Sequence, residues 1–273
     1  MNLETRIKLS DQDGFNGTPF RYWINRNIVG LIDQYCPPKN ARVLDLGCGQ
    51  GQYAKVLRSA GIKGSYLGID LEARDNWNEM SRGDELTIEF RTYDAEKIGE
   101  IGRQFNFIYA ITSFEHFEDD VAALNGMYPI LDEGKCGLII VPSHYSYLNY
   151  ATHGFRRYSS GRLRSMAENA GFSGIEVSKI GGLGSFLFHL LWKWSSQLIK
   201  WMLKLIVLIP FPGNKKKARE RAPQLHYYLD GIMHLHLMTA SGKWIHKTML
   251  RIGVIVDRLL PICEVGYVLV FRK

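Results

Sequence analysis

The passage Val43-Leu44-Asp45-Leu46-Gly47-Cys48-Gly49-Gln50-Gly51 restricts the fold of this chain more than any other. An apolar run ending in an acid gives way to three alternating glycines, and a helix-like stretch follows from Tyr53. Glycine tolerates positive φ and lets backbone approach a ligand with no Cβ in the way. A strand, glycine loop and helix at the carboxyl edge of a parallel sheet form the turn where such folds bind nucleotides. The spacing is G-x-G-x-G, not the G-x-G-x-x-G of a dinucleotide fold, and no Gly-Lys-Ser/Thr follows to make a phosphate loop of the Walker type.

The surrounding pattern supplies that sheet. Ala41–Leu46, Ser65–Ile69, Thr87–Thr92, Phe105–Thr112 and Gly137–Val141 read as strands. Between them Tyr53–Ala60, Asn76–Arg82, Asp94–Gly102 and Val121–Leu131 read as helices, a strand–helix alternation that predicts an α/β fold with a doubly wound, mostly parallel sheet. Residues 1–40, with helical spacing over Tyr22–Tyr35 and a stop at Pro37-Pro38, form an N-terminal helical cap. Ser159 or Ser160 offers an N-cap for a helix to Asn169, before a strand over Gly174–Ile180. Glu264–Arg272 is a final strand, so residues 41–182 and 263–273 make the main domain. The intervening 183–262 far exceeds the usual connection of about 4–6 residues and is a helical insertion before the last strand.

Two further acids stand at strand ends. Asp70, in Gly68-Ile69-Asp70-Leu71, follows Gly51 by 19 residues, and a carboxylate there can accept both hydroxyls of a ribose. Asp94-Ala95 ends the third strand, where an acid can meet an adenine amino group. With Asp45, three acids end three successive strands on one edge.

At this point the sequence resembles the class I S-adenosylmethionine-dependent methyltransferases. Asp45 to Gly51, Gly68 to Asp70, Tyr93-Asp94-Ala95-Glu96 and Ala110-Ile111-Thr112-Ser113-Phe114-Glu115-His116-Phe117 carry the resemblance, together with the fifth-strand passage Leu131 to Val141. It covers about residues 38–182 and the last strand. It implies a seven-stranded Rossmann-like sheet whose last strand runs antiparallel between its neighbours. It also implies that Asp45, Gly47, Gly49 and Gly51 line the methionine part of S-adenosyl-L-methionine. Asp70 and Leu71 would hold the ribose, Asp94 and Ala95 the adenine, and Ile111 would line the pocket after the fourth strand.

Methyl transfer from a sulfonium is chiefly a matter of positioning and desolvation, although an oxygen acceptor also needs a base. Histidine titrates in the right range. His116 follows strand four, and His153 opens the block His153-Gly154-Phe155-Arg156-Arg157-Tyr158 after strand five. This block resembles one in methyltransferases of sugar, lipid and polysaccharide pathways, which implies that Arg157 and Tyr158 contact the acceptor. His116 and His153 are the candidate catalytic residues, with pinning of the loops as the structural alternative. No Asn-Pro-Pro-Tyr or Asp-Pro-Pro-Tyr follows strand four and no Pro-Cys is present, which argues against methylation of nucleic-acid bases. Neither clustered acids nor the pair His234/His236 suggests a metal site.

Charge then divides the chain. Residues 183–262 carry 12 Lys/Arg against 3 Asp/Glu, whereas the remainder carries 22 against 24. A nearly neutral body with one basic segment is unlike a protein that coats nucleic acid. At about 100° per residue Lys193, Lys200 and Lys204 share one stripe, opposite Leu190, Leu191, Trp194, Leu198, Trp201, Met202 and Leu205. With Lys215-Lys216-Lys217 just beyond, 183–221 reads as a surface for a membrane interface and anionic headgroups. Four dispersed cysteines, no apolar leader at the N-terminus and no uncharged run of about 20 residues predict a cytoplasmic protein, peripheral on the membrane. The expected function is methyl transfer to a small-molecule or lipid-linked acceptor. An RNA methyltransferase, and a cofactor-binding scaffold that docks a partner, stay open as alternatives.

Overall fold

The computed structural model describes residues 19–80, 85–148, 154–191 and 240–273. In chain order the elements are α1 (Pro19–Tyr35), β1 (Ala41–Leu46), α2 (Gln52–Ser59), β2 (Gly64–Asp70), α3 (Trp77–Met80), β3 (Leu86–Thr92) and a 3-10 helix (Ala95–Glu100). There follow β4 (Phe105–Ile111), a 3-10 turn (Phe114–His116), α4 (Asp120–Ile130), β5 (Leu131–Pro142) and a second 3-10 turn (His144–Leu148). The chain continues through α5 (Ser160–Asn169), β6 (Ser173–Ile180), a helix from 183 described to 191, α6 (Ala240–Leu259) and β7 (Gly266–Arg272).

One seven-stranded sheet results, in the order β3-β2-β1-β4-β5-β7-β6. The first five strands pair parallel, and β7 runs antiparallel between β5 and β6. Apolar residues on the two faces of each strand bury two separate cores, as a sheet covered on both sides requires. On one face Ile24, Ile28 and Ile32 of α1, with Tyr53, Ala54 and Leu57 of α2, pack on Val43, Phe107 and Tyr109. On the other, Ile98, Leu124, Met127 and Leu163 pack on Leu44, Ile69, Ile108 and Ile139. β4 lies in the middle and is buried at every position. The order reverses between β1 and β4, so their carboxyl ends diverge into a crevice.

The sequence-based strands match this sheet to within a residue or two, except β5, which starts at Leu131 rather than at Gly137. Asp132-Glu133-Gly134-Lys135 has the composition of a turn, but it is paired to the other end of the chain through Gly134 N–H to Lys273 O and Lys273 N–H to Lys135 O. Asp94–Gly102 is a 3-10 helix and not an α-helix, with Gly99 in its interior pressed on Gly126 of α4. Asn76–Arg82 shortens to Trp77–Met80, and 81–84 lie outside the described residues. Of the two candidate caps it is Ser159 that caps α5, accepting from Arg162 N–H.

The insertion leaves and rejoins the sheet at a narrow neck. Leu183 N–H donates to Leu260 O, and Ser185 binds Asp257 through both N–H and hydroxyl. Gly184 meets Gly253 so closely that a Cβ on Gly184 would lie 2.3 Å from the Gly253 carbonyl. Residues 192–239, including the lysine and tryptophan stripe and Lys215 to Lys217, lie outside the described residues. Gly184→Val should therefore cost about 1–3 kcal/mol by overpacking. Thermal denaturation checks this, and an unchanged midpoint would show that the two helices do not bear on each other there.

Candidate active site

The crevice between β1 and β4 opens into a cavity of about 560 Å³, in the size range of small-molecule sites. Of the glycine loop it is Gly47 that lines this cavity, whereas Gly51 is packed against Met80 and Phe90. Gly47 has φ +70, and a Cβ on it would lie 2.4 Å from Ser113 Cβ, because Ser113 reaches across from β4 to donate to Leu46 O at 2.6 Å. Gly49, at φ +53, faces open space with no protein atom within 4 Å of where a Cβ would be. The loop is held from outside by Trp77, whose indole N–H donates to Gly49 O at 2.9 Å, and by Asn76, which donates to Gln50 O. Trp77 in turn stacks on Phe90.

The acids do different work. Asp70 Oδ2 accepts the Gly49 N–H at 2.9 Å and Oδ1 the Glu72 N–H, while Arg74 stands 3.7 Å away. A carboxylate has about four acceptor positions, so Asp70 retains capacity toward the cavity that it lines with exposed Leu71. Asp94 caps the 3-10 helix by accepting from Glu96 N–H, and it lines the cavity beside Tyr93 and Ala95. Asp45 is only 1% exposed and does not reach the cavity. It lies under the loop, where Tyr66 OH donates to it at 2.7 Å. The Tyr109 hydroxyl is buried beside the same carboxyl without a hydrogen bond of normal geometry. Burial pushes Asp45 up to about 7, against the lowering effect of these hydroxyls. Burial also drives the Cys48 thiol far above its ordinary value, so the loop cysteine is a packing residue and no nucleophile.

The opposite wall follows β4. Thr112, Ser113, His116, Phe117 and Glu118 line it, and Phe155 closes it from the segment after β5. His116 is exposed to the cavity. Ile111, expected to line the pocket, belongs instead to the core under α1 and α2, because strand alternation turns it inward and leaves Thr112 and Ser113 at the opening. Tyr158, expected to contact the acceptor, does not line the cavity either. It is fully buried, its hydroxyl donating to Asp120 at 2.9 Å. Arg157 is half-buried behind the cavity wall, with Nη1 on the Arg156 carbonyl. His153 lies outside the described residues.

Asp120 organises this wall. Its buried carboxylate takes Tyr158 OH, Arg162 and Arg156, and Arg156 also donates to Phe117 O and Glu118 O. The Arg-Arg-Tyr block therefore clamps the turn after β4 to the segment after β5. Glu115, packed inside this clamp, has a buried Oε2 with no hydrogen bond among the described residues. Burial raises it to about 7 in spite of the nearby Arg157 and Arg21. Arg21, which little in the sequence marks out, joins Tyr53 OH at 3.1 Å to Thr112 Oγ1 at 3.4 Å. Its signal was one arginine within the apolar run Phe20-Arg21-Tyr22-Trp23.

The comparisons with known proteins agree with this geometry. A family model described as a methyltransferase domain matches residues 20–177, more than half of the chain. The chain belongs to the S-adenosylmethionine-dependent methyltransferases. It is 28% identical over 178 residues to a ubiquinone biosynthesis O-methyltransferase of Pseudomonas putida (strain W619), covering 59% of this chain and 75% of that one. To cycloartenol-C-24-methyltransferase 1 of Oryza sativa subsp. japonica it is 28% identical over 150 residues, covering 51% and 42% of the two chains. A solved S-adenosylmethionine-dependent methyltransferase from Archaeoglobus fulgidus shares the fold, with a TM-score of 0.52 at 14% identity over 96% of this chain and 97% of that one. The site suits the cofactor of this methyltransferase family: Gly47, spare acceptor capacity on Asp70, and Asp94 lie along one cavity of adequate size.

Two consequences can be measured. Asp45 binds a proton in the folded state at pH values where the unfolded chain, with an ordinary value near 4, has released it. Its contribution to stability is therefore present at low pH and falls as pH rises from about 4 to about 7, by up to about 1.4 kcal/mol per pH unit. Asp45→Asn should remove that slope, so denaturant titrations at pH 5 and pH 8 should show the variant gaining on the parent at the higher pH. Asp120→Ala, which takes the acceptor from the buried Tyr158 hydroxyl and the partner from the partly solvated Arg156 and Arg162, should cost about 1–3 kcal/mol. A loss below 1 kcal/mol in the same titration would show that Asp120 does not hold the clamp.

Proposed function

We propose that this methyltransferase transfers a methyl group from S-adenosyl-L-methionine to a small apolar or lipid-linked acceptor. It works as a peripheral protein on the cytoplasmic side of a membrane. The observation that carries the reading is the far wall of the cavity, where Phe117 and the exposed Phe155 line the cavity with the His116 imidazole. The relatives support it, since their names refer to ubiquinone biosynthesis and to cycloartenol, both apolar molecules.

The cofactor supplies an electrophilic methyl on a sulfonium. Asp70 would take its ribose hydroxyls, Asp94 and Ala95 its adenine, and the backbone at Gly47 and Gly49 its methionine part. Arg21, bonded to Tyr53 of α2 and to Thr112 after β4, would offer its guanidinium to the carboxylate of the methionine part. Phe117 and Phe155 keep water from the acceptor, and the Asp120 clamp holds both at a fixed distance from the glycine loop. His116 accepts the proton of a hydroxyl acceptor at its imidazole.

Asp70→Ala should weaken cofactor binding by about 1.5–3 kcal/mol, the worth of hydrogen bonds to a charged acceptor. Calorimetry showing parental affinity would remove the ribose assignment. His116→Ala should leave cofactor affinity unchanged and lower turnover about 10²–10⁴-fold. The acceptor class is tested by incubating the protein with labelled cofactor and either a lipid extract or purified RNA. Label should enter lipid, with a methyl gain by mass spectrometry. Label entering RNA alone, with a steep salt dependence, would replace the lipid reading, and label entering neither would favour a non-catalytic scaffold.

A further inference from the structure

The neck of the insertion fixes one side of α6 and leaves the other exposed. Leu250 is buried, Gly253 is pressed on Gly184, and Asp257 is engaged by Ser185. Across the helix Met249, Ile252, Ile255 and Leu259 are exposed at 48, 49, 57 and 75%. At about 100° per residue these four share an arc of about 120°, and Arg251 and Arg258 lie together along its border. Among the described residues neither arginine has a carboxylate within ion-pair distance. Leu187 and Leu191, one turn apart on the adjoining helix, are exposed as well. No helix among the described residues is long and apolar enough to cross a membrane. An apolar arc bordered by cations, on a helix anchored along its other side, has the pattern of an interfacial helix.

We infer that this face of α6 is the membrane-docking surface, with Met249, Ile252, Ile255 and Leu259 entering the acyl boundary of an anionic bilayer and Arg251 and Arg258 binding its headgroups. This rests on the membrane-surface reading of function and assigns the residues that execute it. Charge selects the occupant. A second copy would bring the same cationic border against itself. Residues 192–239 carry Lys193, Lys200, Lys204, Lys215, Lys216, Lys217, Arg219 and Arg221 against only Glu220 and Asp230, so that segment has the same sign as the border. An anionic bilayer has the opposite one.

The test is flotation of the full chain with phosphatidylcholine vesicles, with and without phosphatidylglycerol, at low and high salt. The parent should prefer anionic vesicles, and salt should reduce the preference. Arg251→Gln with Arg258→Gln should lose about fivefold in affinity per arginine on anionic vesicles, equivalent to about 1 kcal/mol each, and nothing on neutral ones. Ile252→Ser with Ile255→Ser should lose at least tenfold on both. Light scattering and thermal denaturation are run on the same samples. Parental vesicle binding by both double variants overturns the assignment. If the isoleucine variant also changes mass, a second copy covers the face; if it also melts early, the chain itself covers it. Transfer to an acceptor dispersed in detergent separates this surface from the chemistry. Retained transfer by variants that no longer float supports the docking role, whereas a parent that floats but methylates no lipid-extract component overturns the acceptor reading alone.

Discussion

The hydrogen bond from Ser113 Oγ to the Leu46 carbonyl, 2.6 Å long and buried, ties the end of β4 to the end of β1. These strands lie side by side where the sheet order reverses, so their ends would otherwise diverge freely. The bond needs Gly47, since any side chain there would occupy the space of Ser113 itself. Once the two ends are joined, the rest of the site is placed from them. Gly49 follows with its N–H on Asp70, which fixes the end of β2 against the loop, and His116 stands in the far wall three residues after Ser113. A buried, fully satisfied bond between two rigid strands is the means by which a site keeps its geometry without a ligand to hold it.

The second wall depends on Asp120 in the same way. Burying a carboxylate is costly unless charges and hydrogen bonds surround it, and here a tyrosine and two arginines do so. The segments after β4 and β5 meet at this side chain, and the Arg156 bonds to Phe117 O and Glu118 O and the Phe155 N–H bond to Glu115 O add to the join. Phe155 is thereby held over the cavity although the segment that bears it has little secondary structure of its own. Arg156 and Tyr158 belong to the chemistry only through that placement.

How much of this could be read from the sequence varies with the kind of constraint. Strand positions, the glycine loop and the acids at Asp70 and Asp94 were legible, because alternation, glycine spacing and strand-end position are local signals. The seven-stranded order, with β7 between β5 and β6, came from family resemblance, since no local pattern encodes which strands pair across the 80-residue insertion. Tyr158 and Ile111 were misplaced for one reason. A polar or apolar residue near a site can face either way, and one step along a strand or loop exchanges core for cavity. Asp45 was read as a ligand contact, but a strand-end acid can also point down into the sheet, where Tyr66 from the next strand takes it. Arg21 and Asp120 escaped notice because each acts on partners from 32 to 91 residues away.

Three residues beside the crevice share a physical character: each costs the fold something. Asp45 and Glu115 are carboxyls whose burial holds them near neutrality, and Glu115 leaves one oxygen unsatisfied among the described residues. Thr112, a β-branched residue, sits at φ 53, where only glycine is comfortable. All three lie within a few residues of the crevice, while the two cores behind them are built from buried apolar side chains. Unfavourable conformations of about 1–3 kcal/mol each persist only where the surroundings over-determine them. The Arg21 bond to Thr112, the Ser113 bond to Leu46 and the Asp120 clamp are those surroundings. Stability gained in the sheet is thus drawn on at its carboxyl edge, where methyl transfer requires polar groups held in place before the acceptor arrives.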